Sequence, residues 1–130
     1  MNLAAPDYVI VVVHDLDRAL RFYTEVLGLR LGHRSGAYAQ FDTGTMRLAL
    51  YTREAMAITL GMPLQPPAEN VPGFELGFKV PDVNAAYTEL VARGAPAVTP
   101  PTYRPWGQRT AYVRDPDGHL IELAQDLSRP

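Results

Sequence analysis

A chain of 130 residues, 47% of them apolar and 20% charged, can bury one core without staples and has the composition of an ordinary globular domain. Its 12 basic and 14 acidic residues leave a net charge of −2 with no Lys/Arg run, which argues against nucleic acid and anionic membranes as partners. Cysteine is absent, so disulfides, thiolate ligands and a thiol nucleophile are excluded, and a reducing cytoplasm is the expected compartment. The longest strongly apolar run, residues 8–13, is too short for a membrane span. Asp7, with no early Lys or Arg, does not suggest a signal peptide.

Residues 8–13 are almost all β-branched, which predicts a strand buried on both faces. Next, Leu16, Ala19, Leu20, Tyr23 and Leu27 recur at helical spacing, with Asp17, Arg18, Arg21 and Glu25 mostly on the other side. This predicts a helix over 17–27, with Asp15 as N-cap and Gly28 as left-handed stop. Strands are expected at 29–34, 37–41 and 46–52, the last two joined by a hairpin turn at Asp42-Thr43-Gly44.

Residues 53–73 have no clear period and hold Pro63, Pro66, Pro67 and Pro72, so a structureless linker or lid is expected. The pattern then starts again. Phe74, Leu76, Phe78 and Val80 alternate with Glu75, Gly77 and Lys79, a period of two. Asp82 opens a helix over 84–93 with Val83, Ala86, Tyr87 and Leu90 as its stripe, ending at Gly94. The remaining strands are expected at 96–101, 108–114 and 119–125, with Asp115-Pro116-Asp117-Gly118 as the turn between the last two.

The order is strand, helix, three strands, performed twice. The expected fold is therefore α+β: two βαβββ modules, about 5–52 and 74–126, joined by 53–73 in a single domain. Equivalent strands of such modules are expected to bring matching positions to one shared cleft.

Residues 105–123, from Pro105-Trp106-Gly107 through Asp115-Pro116-Asp117-Gly118 to Ile121-Glu122-Leu123, resemble the closing strands of the vicinal oxygen chelate superfamily. That group includes glyoxalase I, extradiol dioxygenases and fosfomycin- and bleomycin-resistance proteins. Asp15-Leu16-Asp17-Arg18-Ala19, then Phe22-Tyr23 and Leu27-Gly28, resemble its first helix. The likeness covers nearly the whole chain except 53–73 and is specific for fold rather than activity. It implies a curved, half-open sheet around a central cleft, and a homodimer. Trp106-Gly107 followed by Arg109 is more similar to the metal-free, drug-binding members.

Metal-dependent members place one ligand on the first and one on the last strand of each module. Carried over, the resemblance points to Tyr8 and Ala49 in the first module and to Glu75 and Glu122 in the second. Tyr8 and Glu75 each stand seven residues before a helix-opening Asp, which supports the register from within the chain. No His falls at these positions: His14 precedes a helix cap, His33 lies on an early strand and His119 follows a tight turn. Each His is expected at the surface or rim. Ala49 offers no donor, so no cofactor is expected; two carboxylates and a phenol would at most take Mg²⁺ or Mn²⁺ with help from water.

By alternation Arg47 and Tyr51 flank Ala49, and Gly77 and Lys79 follow Glu75 on the same face, with Ile10, Val12, Leu120 and Ala124 lining it. Glu75 and Glu122 without a cation would repel each other; Arg47, Lys79, Arg109 or a cationic ligand would neutralise them. An internal ion-pair network with no chemistry is the bland alternative. Trp106, the only tryptophan, either covers a sheet edge or stacks on a planar ligand. Met46, Met56 and Met62 could add adaptable apolar contacts. No Ser–His–Asp arrangement, phosphate loop or dinucleotide fingerprint is present.

The expected function is metal-free sequestration of an aromatic or cationic small molecule by Tyr8, Arg47, Tyr51, Glu75, Lys79, Trp106, Arg109 and Glu122. The alternative is a divalent-metal lyase or dioxygenase in which Tyr8, Glu75 and Glu122 hold the metal.

Overall fold

A computed structural model of the chain describes residues 1, 3, 5–68 and 72–127. The chain divides into two compact units, Met1–Pro66 and Pro67–Pro130. Within each, the same order recurs, and the α+β class and doubled strand–helix–three-strand pattern are both present.

In the first unit, strand β1 (Tyr8–Val13) leads to helix α1 (Leu16–Arg21), followed by β2 (Leu31–Ser35), β3 (Tyr38–Phe41) and β4 (Arg47–Thr52). The sheet order is β1-β4-β3-β2, with β1 parallel to β4 and the others antiparallel. Asp15 caps α1 by accepting the Arg18 N–H at 3.0 Å, which satisfies an otherwise orphaned helical donor. The expected single helix is in fact two segments. Phe22–Val26 winds as a wider π turn in which Leu27 N–H reaches back to the Phe22 carbonyl, and Gly28 ends it at φ 80°.

Leu16, Ala19, Leu20, Phe22 and Tyr23 bury themselves against Val11, Val13, Ala39, Phe41, Leu48 and Leu50 on one face of this sheet. Tyr23 is fully buried, its ring 5.3 Å from Phe22 and 5.6 Å from Phe41. Each large apolar side chain withdrawn this way contributes roughly 1.5–3 kcal/mol.

The second unit runs β5 (Glu75–Lys79), α3 (Val83–Ala92), β6 (Ala97–Arg104), β7 (Gln108–Arg114) and β8 (Leu120–Asp126). Its sheet order is β5-β8-β7-β6, with β5 parallel to β8. Asp82 caps α3 through the Ala85 N–H at 3.1 Å, and the Val83 N–H donates to Gln125 Oε1 at 2.9 Å. Val83 and Leu90 pack with Ala111, Val113, Ile121 and Leu123 to form this unit's core. Most strand ends move by a residue or two from the sequence expectation; the largest change is β6, which runs on to Arg104.

The stretch expected to be structureless needs a correction. Arg53–Leu60 forms a helix, α2, capped by the Thr52 hydroxyl, which accepts the Ala55 N–H at 3.2 Å, and closed by Gly61 in the left-handed region. Its residues are mostly good helix formers (Glu54, Ala55, Met56, Ala57, Leu60), but none is buried. The helix therefore carries no buried apolar stripe. Residues 63–68 have no regular structure, and 69–71 lie outside the described residues. No helix among the described residues is long and apolar enough to cross a membrane.

Candidate functional site

The chemistry gathers on the face of the second sheet that is turned away from α3. Glu75, Gly77 and Lys79 share that face of β5. Across the parallel ladder Gly77 faces Glu122 and Lys79 faces Ala124. On the other side of β8, Tyr112 faces Glu122, Thr110 faces Ala124 and Gln108 faces Asp126. The period-two alternation of β7 and β8 thus sends Ala111, Val113, Ile121 and Leu123 to the core and these polar residues to the other side.

Gly77 makes room for the carboxylate. A Cβ built there would lie 3.4 Å from Glu122 Oε1, so the carboxyl group lies over backbone that carries no side chain. Its other oxygen, Oε2, accepts a hydrogen bond from the Tyr112 hydroxyl at 2.7 Å. Burial, then this bond, push the Tyr112 pKa up to about 12, so the phenol stays protonated and donates. Glu75 titrates above the ordinary carboxylate range. Withdrawal from water is the main cause and the Glu122 charge the second, while hydrogen bonding to Tyr112 acts the other way.

The bases expected to neutralise this pair are committed elsewhere. Lys79 donates to both Asp126 oxygens at 2.6 Å. Arg47 pairs with Asp7 and stacks its guanidinium 5.5 Å from the Tyr8 ring centre. Arg109 corrects the expectation directly. It pairs with Gln125 and Tyr103, one residue out of phase with Thr110, and so falls on the opposite face. Among the described residues neither glutamate is ion-paired with a Lys or Arg. The basic residue nearest in effect is Arg104, which opposes the rise of the Tyr112 pKa and donates from Nε to the fully buried Thr110 hydroxyl at 2.8 Å.

Trp106 stands in the β6–β7 turn, 63% exposed. Its ring N–H donates to Gln108 Oε1 at 2.9 Å, and the Gln108 amide donates to Asp126 Oδ1 at 2.9 Å. A polar chain therefore runs Trp106–Gln108–Asp126–Lys79 across one end of the same face. Gln108, then Lys79, hold the Asp126 carboxyl below its ordinary range.

In the first unit Tyr8 and Arg47 are register partners, and Ala49, fully buried, faces Ile10 and Gln40. Tyr51 bonds the Thr59 hydroxyl of α2 at 2.9 Å. His119 was expected at the rim. Its side chain is instead only 14% exposed, with Nδ1 2.8 Å from the buried Asp115 carboxylate. Sequence reasoning missed Tyr112, Gln108 and Arg104. The alternation of Thr110 and Tyr112 with Ala111 and Val113 was the signal available for the first.

The comparisons agree with this architecture. The uncharacterized protein YraH of Bacillus subtilis is 35% identical over 123 residues, covering 90% of this chain and 94% of that one. A crystal structure of a glyoxalase/bleomycin resistance protein/dioxygenase from Nocardioides superposes with a TM-score of 0.85 at 26% identity, covering 100% of this chain and 88% of that one. A lactoylglutathione lyase from Agrobacterium tumefaciens gives a TM-score of 0.72 at 25% identity, covering 95% of each. The model of the Glyoxalase/Bleomycin resistance protein/Dioxygenase superfamily matches residues 5–123, and with a match of that extent the chain belongs to this superfamily.

Proposed function

We propose that the protein is a cytoplasmic small-molecule binder that sequesters an aromatic compound bearing a positive charge, without a resident metal ion. The observation that carries this reading is the Glu75–Glu122 pair: two carboxylates coupled through space, backed by the Tyr112 hydroxyl and paired with no Lys or Arg among the described residues. Such a pair favours a ligand that brings its own cation. Trp106, held by Gln108 at one end of this face, supplies a flat surface for stacking.

The donor set supports the metal-free part. Ala49 has no donor, Glu122 Oε2 is occupied by the Tyr112 proton, and no group of three or more His, Cys, Asp and Glu suited to a metal occurs among the described residues. A resident transition-metal ion is not suited to that set. Elemental analysis of tag-free protein giving near one equivalent of Zn²⁺, Ni²⁺ or Fe²⁺ would overturn this part and revive the lyase or dioxygenase reading.

A homodimer belongs to the same proposal. It rests on the strands that end the sheets, such as β2, which is exposed throughout; light scattering at micromolar concentration that reports a monomer would count against it.

The binding test is titration of Trp106 fluorescence with planar cationic dyes such as ethidium and acridine orange. Wild type is expected to bind with quenching. Glu122→Gln should weaken binding tenfold or more, as loss of a charge-assisted contact of about 1.5–3 kcal/mol requires, and Trp106→Ala should weaken it several-fold by calorimetry. Both variants binding as well as wild type would place the ligand elsewhere and end this reading.

A further inference from the structure

The geometry points to a binding concavity within the first unit alone, for a neutral aromatic compound that carries an N–H or O–H donor. It rests on α2 and the sheet and not on the carboxylates of the second unit. Because Thr52 both ends β4 and caps α2, the helix turns back at once and packs against β4 and β1. The two walls enclose an open concavity of about 540 Å³, within the usual size of small-molecule pockets. Ile10 and Tyr51 come from the sheet, Tyr38 from the start of β3, Ala37 from the turn before it, and Met56 and Thr59 from α2; Ser35, at the end of β2, completes the lining.

None of these side chains carries a charge, so the occupant should be neutral. Tyr38 and Tyr51 meet edge-on, with ring centres 6.3 Å apart, and Met56 adds an adaptable thioether, a combination suited to a flat ring. The hydroxyl protons decide the polarity. Tyr38 donates to Gln40 Oε1 at 2.9 Å, and Thr59 donates to the Ala55 carbonyl at 3.0 Å. Tyr51, 2.9 Å from Thr59 Oγ1, must then donate to that oxygen. With these three protons used internally, the phenol oxygens are left as acceptors. A ligand that donates a hydrogen bond satisfies them, and one lacking a donor leaves them dry and unpaired.

The experiment uses the full-length protein and N-phenyl-1-naphthylamine, a neutral probe with one N–H whose emission rises out of water, beside its N-methyl analogue. Wild type is expected to bind the first at least about fivefold more tightly than the second, as one lost hydrogen bond requires. Met56→Arg, on a helix with no buried residue, should weaken probe binding by about tenfold or more without changing the circular dichroism. Tyr51→Phe should remove most of the preference for the N–H compound, and Glu122→Gln should leave probe binding unchanged. Equal affinity for the two probes, or Met56→Arg binding like wild type, would overturn the assignment. So would dissociation of a dimer by Met56→Arg, which would make the concavity an interface between copies.

Discussion

The two units share strand order and register yet treat one position in opposite ways. In the first, Ala49 faces Ile10 and is fully buried; in the second, Glu122 faces Gly77, and one carboxyl oxygen lies 3.4 Å from where a Cβ on Gly77 would stand. The neighbours on the third strand differ to match: Gln40 beside Ala49, Tyr112 beside Glu122. In the second unit the adjoining strand thus gives up its side chain beside the carboxylate and the next strand supplies a proton to it.

The hardest test forces the first unit to imitate the second. Ala49→Glu should cost about 3–5 kcal/mol, the range for a buried charge without a partner. Adding Ile10→Gly opens the space that Gly77 provides in the second unit. The double variant should then be more stable than the sum of the single changes by about 1 kcal/mol, as seen for residues in contact. Chemical denaturation of the four proteins measures this. Additivity within about 0.5 kcal/mol would mean that the glycine is not what admits the carboxylate.

A smaller contrast lies in the turns before the last strand of each unit. Asp115 is 2% exposed and accepts the N–H groups of Asp117 at 2.9 Å and His119 at 2.8 Å, besides His119 Nδ1. Asp42, the matching residue, is exposed and makes one ion pair with Arg30 at 3.8 Å. Asp115→Ala should cost about 3 kcal/mol, because buried donors lose their acceptor, while Asp42→Ala should cost no more than about 0.5 kcal/mol. Similar melting temperatures for the two variants would show that the buried turn does not hold the second unit.

These contrasts also show what was readable from the chain. Asp15 and Asp82 as caps, Gly28 and Gly94 as stops, and the strand Tyr8–Val13 all follow from local chemistry that tertiary structure does not override. The registers that put Tyr8 opposite Arg47 and Gly77 opposite Glu122 depend on pairing between distant segments, and internal symmetry was enough to align their positions. Three features escaped. α2 buries no stripe, so only its cap and its Gly61 stop announced it. The π turn adds one residue to a turn whose apolar spacing still looks helical. Arg109, expected to help neutralise the glutamates, falls on the other face when β7 is counted back from Tyr112, the partner of Glu122.

The smallest expected effect is a pH dependence confined to the second unit. Unfolded, Glu75 titrates near 4.5; folded, burial and the Glu122 charge raise its pKa. Between those two values the folded chain keeps a proton that the unfolded chain has lost. Stability from this group is therefore complete below about pH 4.5 and lost as pH rises through the folded pKa. Glu75→Gln cannot ionise, so it should match wild type in the acid limit and exceed it at about pH 7. Glu75 is largely exposed, and water screens the effect to less than about 1 kcal/mol. In a Glu122→Gln background the gain should shrink but not vanish, because burial is the larger of the two causes. The control in the first unit is Gln40→Ala, at the position matching Tyr112 and with no carboxylate beside it; its offset should be the same at every pH. Urea midpoints from about pH 4 to 8 decide the matter. A pH-independent offset for Glu75→Gln would mean that the two glutamates are not coupled, and the cation-seeking character assigned to this face would go with it.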